Sequence, residues 1–154
     1  MLETDVSELK QINDKLKKLS LVASKTNNSV IIFDVNGDID WVNDGFHNMY
    51  GYTKSEFIEK VGFNIIDFCR NDGKEEILNK VLLEKKALSY ACPFADRFEV
   101  HKWKQTNLTP IYGDGGAFQN YIVIESDISR IKEAEQLIQD EKDKVDKLLL
   151  NILP

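Results

Sequence analysis

At Asp127-Ile128-Ser129 the hydrophobic period of this chain changes from two to seven. Ahead of that point, Tyr121 to Ser126 alternates as a half-buried strand does. Beyond it, Ile131, Ile138, Val145 and Ile152 fall seven apart, with Ala134, Glu141 and Leu148 at the alternate seam positions. That is the stripe of an amphipathic helix packed on a partner, and β-branched residues at its first seam position favour a parallel two-stranded coil. Glu141 is unfavourable in such a seam, and sets register or leaves the coil poised between packings. The stripe widens at Leu148-Leu149-Leu150 to more apolar surface than two strands hide. The expected architecture is a small body joined to a helix that needs a partner, a piece of a larger assembly built to pass a signal along that helix.

The segments upstream read in sequence as one helix, two strands, several short helices and three strands. Leu2, Leu9, Leu16 and Ala23 recur every seven residues, with Ile12 and Leu19 between them, giving an N-terminal amphipathic helix over 1–24. Val30 to Val35 is a β-branched strand, and Asn36-Gly37 predicts a two-residue type I′ hairpin into a strand through Ile39, Trp41 and Val42. Asn43 and Asp44 are both cap residues for a short helix, Gly45 to Tyr50, that Gly51 ends, and Thr53-x-x-Glu56 is a capping box opening another. Asn64 to Cys69 reads as a tight turn or 3₁₀ piece. Asp72 or Gly73 begins a longer helix with Ile77, Leu78, Val81 and Leu82 on its buried face. The period then falls to two over Leu88–Phe94, Phe98–Ile111 and Phe118–Ser126. Helices on one side of an antiparallel sheet make the fold class α+β.

Several functions are disfavoured by composition. The net charge of −6 and pI near 5.0 oppose a nucleic-acid groove, which needs a concentrated basic face. No apolar run reaches the ~20 residues of a membrane span, so no membrane contact is expected of this segment. Cys69 and Cys92 lack disulfide or metal spacing and fit a reducing cytoplasm. Gly113-Asp114-Gly115-Gly116 joins two strands and is a turn, because a phosphate loop precedes a helix. No Ser/His/Asp set or nucleophile elbow is present, so this segment is not expected to be catalytic.

Four local motifs carry a family resemblance. They are Asn28-Ser-Val-Ile-Ile-Phe-Asp with Asn36-Gly37-Asp38-Ile39; Trp41-Val42-Asn43-Asp44-Gly45-Phe46 followed by Gly51-Tyr52-Thr53; Thr109-Pro110-Ile111-Tyr112-Gly113-Asp114-x-Gly116; and Asp127-Ile128-Ser129. In this order, Val22 to Ser129 resembles a PAS domain of bacterial sensory proteins. The resemblance implies a five-stranded antiparallel sheet with short helices cupped over one face, flanked by the two amphipathic helices. The implied divisions are a dimerisation helix at 1–24, the PAS body at 25–128 and a signalling helix at 129–154.

The cup of such a domain often holds a small ligand, and the resemblance places Phe33, Asn64, Phe68, Lys104, Thr106, Leu108 and Glu125 around it. Which ligand, if any, stays open. Flavin-binding light-oxygen-voltage domains carry a cysteine directly after the asparagine here represented by Asn64, but Ile65 follows. Their ring-binding strand positions align with Lys104 and Glu125, which suit each other better than a flavin. Haem needs an axial histidine, and Asp72 to Lys86 has none. Strand alternation puts Lys104, Thr106 and Leu108 on one face, so Lys104 and Glu125 are expected to form a partly buried pair that fills the cup or meets a polar ligand.

Asp127, Ile128 and Ser129 would relay a signal into a homodimeric helix packed through Ile131, Ile138, Val145, Leu148 and Ile152. The closing segment Lys147-Leu-Leu-Leu-Asn-Ile-Leu-Pro154 is similar to the short transducer helix before class III adenylate or guanylate cyclase domains, which implies such an output domain in the same chain. A histidine kinase or other signalling enzyme is the alternative output, although no histidine follows His101. A ligand-free dimerisation domain is the other alternative.

Overall fold

The computed structural model describes residues 27–152. The expected helix over 1–24, and Leu153 and Pro154 of the transducer-like segment, lie outside the described residues.

Strands β1 (Ser29–Phe33), β2 (Ile39–Val42), β3 (Leu88–Ala95), β4 (His101–Tyr112) and β5 (Phe118–Asp127) form one antiparallel sheet in the order β2-β1-β5-β4-β3. Between β2 and β3 run α1 (Asp44–Tyr50), α2 (Lys54–Lys60), α3 (Ile65–Asn71) and α4 (Glu75–Glu84), and α5 (Ser129–Ile152) follows β5. The class is α+β, as the change of period implies.

The local rules explain most boundaries. Asn43 accepts the Phe46 N–H to start α1, and Gly51, at φ 75°, ends it in the left-handed conformation that a Cβ disfavours. Thr53 and Glu56 close both halves of the capping box on α2. The inner face of the sheet then follows from register. Leu88, Leu108, Val123, Ile31 and Val42 lie in one cross-strand row. Phe33, Phe46, Phe57 and Phe68 fill the space between this face and the helices, with Phe46 and Phe57 edge-to-face at 5.0 Å. Each ring buried this completely stabilises the fold by about 1.5–3 kcal/mol.

Four expectations need correction. The β1–β2 hairpin is not a type I′ turn: Gly37 has φ 83°, but Asn36 does not share the positive φ that type would require. Instead Gly37 N–H donates to the Asp34 carbonyl, and the Asp34 carboxylate accepts from Asn36 and Asp38 N–H, which fixes a longer turn with glycine at its left-handed position. The piece from Asn64 onward is a true α-helix, α3, capped by Asn64 through the Ile66 N–H. Asp72 does not begin a helix; it closes α3, and α4 starts three residues later at Glu75. On α4, Leu78 and Val81 are buried and Ile77 packs at the edge of the core, but Leu82 is exposed, because a short helix lying over a sheet hides a narrow stripe.

Candidate functional site

Alternation along β4 turns Lys104, Thr106 and Leu108 to the inner face, all at 1% exposure or less. Thr106 is paired across the ladder with Glu125 of β5, and Lys104 with Asp127 two residues further on. Here the core becomes polar. The Lys104 Nζ lies 2.9 Å from Glu125 Oε2 and 2.9 Å from Asp72 Oδ1, and it donates to the Tyr50 hydroxyl at 2.9 Å. Its three protons therefore have three acceptors. The rings of Phe68, Tyr50 and Phe94 lie around the same nitrogen at 4.9, 5.3 and 5.6 Å, a cation–π surround.

The carboxylates are also provided with donors. Thr106 Oγ1 donates to Glu125 Oε2 at 2.6 Å, and the Tyr50 hydroxyl donates to Glu125 Oε1. Asp72 Oδ2 accepts from the Tyr90 hydroxyl at 2.6 Å. The network links α1, the end of α3, and β3, β4 and β5. Ser29, paired with Glu125 across the β1–β5 ladder, is fully buried, and its hydroxyl has no partner among the described residues.

Electrostatics follow from burial. Loss of water disfavours the Lys104 ammonium, but Glu125 and Asp72 outweigh that penalty and hold its pKa above the usual lysine range. For Asp72 the balance is reversed: burial raises its carboxyl above the ordinary value by more than Lys104 lowers it, and Glu125 adds to the rise. Burial, then Glu125 and Asp72, push the Tyr50 hydroxyl well up, so it stays protonated and able to donate. Burial also pushes the Cys69 thiol up to about 12 and the Cys92 thiol to about 11, leaving both as small neutral core groups.

A cavity of about 380 Å³ leads from the surface to this cluster. Its rim includes Lys60, Arg97 and Glu99; Phe57, Phe68 and Phe94 wall it, and Asp72 and Lys104 lie at its end. Phe33 and Leu108 are core neighbours of the cluster, and the Phe33 ring lies 5.9 Å from Phe68. Asn64 stands apart from the other pocket candidates. Its amide donates to the Asn36 carbonyl and to Asp38, clasping the β1–β2 turn to α3, and it borders a different surface cavity.

Sequence reasoning missed Asp72, Tyr50, Tyr90 and Phe94. Tyr90 and Cys92 were available from the alternation already applied to β4, since β3 pairs them with Thr106 and Lys104.

The cluster is one ladder step from the long helix. Asp127 Oδ1 accepts the Ser129 N–H at 2.9 Å, an Asx turn at the entry to α5. Trp103, beside Lys104, bonds this junction with both backbone groups: its carbonyl accepts the Ile128 N–H at 2.9 Å, and its N–H donates to Ser129 Oγ at 3.0 Å. Lys132 lies over the indole at 4.8 Å. Beyond this first turn α5 leaves the sheet, and Ile131, Ile138, Val145, Leu148 and Ile152 are all exposed, Ile138 at 69%. Among the described residues no helix is long and apolar enough to cross a membrane.

The family profile described as "PAS domain" matches residues 27–130. No curated protein matches the chain. Among solved structures, the chain is similar to an RNA-binding light-oxygen-voltage receptor at 17% identity and TM-score 0.64, covering 85% of this chain and 38% of that one. It is similar to the PAS domain of a protein from Colwellia psychrerythraea at 18% identity and TM-score 0.60, covering 75% and 98%. The PAS domain of BvgS from Bordetella pertussis gives 18% identity and TM-score 0.57, covering 85% and 98%.

Proposed function

The chain belongs to the PAS domain family, and from that premise we propose that it is a sensory and regulatory module whose cup is coupled to a dimeric output helix. The body at 25–128 receives the signal from a small ligand or partner, and the helix at 129–154 carries it onward. The observation that supports this most is the junction at Trp103. Lys104 contributes its side chain to the buried cluster, while the adjacent residue holds the start of α5 through both backbone groups. Any shift of Lys104 along β4 therefore displaces the helix entry.

Two copies pack in this reading through Ile131, Ile138, Val145, Leu148 and Ile152, whose exposed stripe is costly to leave in water. The output is a catalytic domain of the same protein, a nucleotide cyclase in view of the transducer-like segment from Lys147 onward. The cup as it stands is occupied by the chain's own charges, which favours a signal that changes those charges over a large cofactor held among them.

The test is Asp127→Ala in the full-length protein. Loss of the Asp127 side-chain bond to Ser129 uncouples basal from stimulated output, and an output unchanged in both states overturns the relay. Sedimentation of the chain 1–154 tests the coil: a dimer that Ile138→Glu with Val145→Glu converts to monomer is expected, and a monomeric wild type refutes it.

A further inference from the structure

The buried cluster is closed but not neutral. Asp72 and Glu125 present two carboxylates to one ammonium, and the side chains of Asp72, Lys104 and Glu125 are at most 2% exposed. One negative charge is left in surplus in a setting that screens it poorly. Such a surplus is an energetic liability that the fold retains, and it is relieved by adding one unit of positive charge.

Two features assign where that charge goes. Glu125 accepts from three donors, the Tyr50 hydroxyl, Thr106 and Lys104, whereas Asp72 accepts from two, Tyr90 and Lys104. Asp72 also borders the cavity that opens past Lys60, Arg97 and Glu99, and Glu125 does not. The less fully donated carboxylate is thus also the one with a route to solvent. An organic cation is a poorer occupant. Lys104 already takes up the ammonium position, with all three protons bonded and three rings around it.

We propose that the ligand sensed by this cup is a proton, taken from water in the cavity onto the Asp72 carboxylate and read out at Trp103. This rests on the relay described above. On uptake the cluster passes from one surplus negative charge to none, Asp72 gains an O–H, and the Tyr90 hydroxyl changes from donor to acceptor. Lys104 loses one of its two anionic partners and is held ionically by Glu125 alone, on the strand that runs into Asp127. The titratable groups facing Asp72 are Tyr50 on α1, Cys69 on α3, Tyr90 and Cys92 on β3, Lys104 on β4 and Glu125 on β5, and Lys74 lies beyond Tyr90, 5.9 Å from its ring. Burial holds the Asp72 carboxyl above the ordinary aspartate range, in the direction a sensor of mild acid requires.

The experiment uses the chain 1–154 labelled with ¹³C at aspartate carboxyls, its Asp72 signal assigned by loss in Asp72→Asn. In parallel, Trp103 emission is followed in a Trp41→Phe background. The expected result is an Asp72 carboxyl step above the ordinary aspartate range and a coincident Trp103 step. Asp72→Asn abolishes the emission step. Tyr90→Phe removes the donor that lowers Asp72 and moves both steps to higher pH, so the inference is tested even if Asp72→Asn folds poorly. An Asp72 carboxyl that titrates in the ordinary range, or a Trp103 step that survives Asp72→Asn, overturns the proposal. A raised Asp72 step with silent Trp103 upholds the proton site and overturns the relay instead.

Discussion

Replacing Lys104 by methionine isolates the energetics of the cluster. The methionine has nearly the same length and keeps the packing against Phe68 and Phe94, but the three polar contacts at 2.9 Å are lost. Two carboxylates then remain in the core without a cation. Removing one partner of a buried pair costs about 3–5 kcal/mol, since the charge left behind is neither solvated nor paired. In a chain of this size that lowers the melting temperature by roughly 10–15 °C, at about 3 °C per kcal/mol.

The sign of the pH dependence is fixed. Burial already holds the Asp72 carboxyl above its ordinary value, and without the ammonium that lowers it the carboxyl rises further. Its contribution to stability is then fully present below the unfolded value and lost as pH rises through the folded one. Lys104→Met is therefore expected to be most destabilising at neutral pH and to recover as the solution is acidified. Adding Asp72→Asn and Glu125→Gln to Lys104→Met replaces the stranded charges by neutral amides and restores most of the loss. Urea unfolding followed by circular dichroism at several pH values measures all of this. A loss under about 1 kcal/mol at neutral pH, or one that deepens on acidification, refutes the reasoning.

Other perturbations test separate parts of the structure. Asn43→Ala removes the α1 cap and the bonds to Val30 N–H and the Asn28 carbonyl; a loss of about 2–3 kcal/mol in urea unfolding is expected from one cap and two part-buried hydrogen bonds. Cys69 should resist a disulfide reagent at neutral pH until the chain unfolds. A thiol pushed up to about 12 from 9.0 holds roughly a thousandfold less thiolate, before burial is counted. Ser129→Ala deletes the acceptor of the Trp103 N–H and is expected to cost about 1 kcal/mol, with faster hydrogen exchange at that amide and little change at Val123.

What was legible in the sequence was whatever one element decides alone. The inward set Lys104, Thr106 and Leu108 follows from alternation on β4, and the caps at Asn43 and Thr53 follow from their own side chains. Asp72 was not legible. Its local preference is to begin a helix, but ion pairing with a lysine 32 residues away turns it into the core at the end of α3. Tyr50 was hidden for the same reason, since its partner Glu125 is 75 residues distant. Asn64 lies away from the buried cluster because its side chain is committed to the hairpin turn it clasps. The type I′ expectation at Asn36-Gly37 failed because Asp34 offered the turn a carboxylate acceptor.

Helix α5 touches the sheet mainly at its first turn and then runs free for most of its 24 residues. At a rise of 1.5 Å per residue it reaches about 36 Å, so a tilt of about 5° at Trp103 sweeps its far end through about 3 Å. The body need not change shape visibly for such a lever to act. A displacement within thermal reach of a single strand becomes, at the far end, about half a helical turn in pitch.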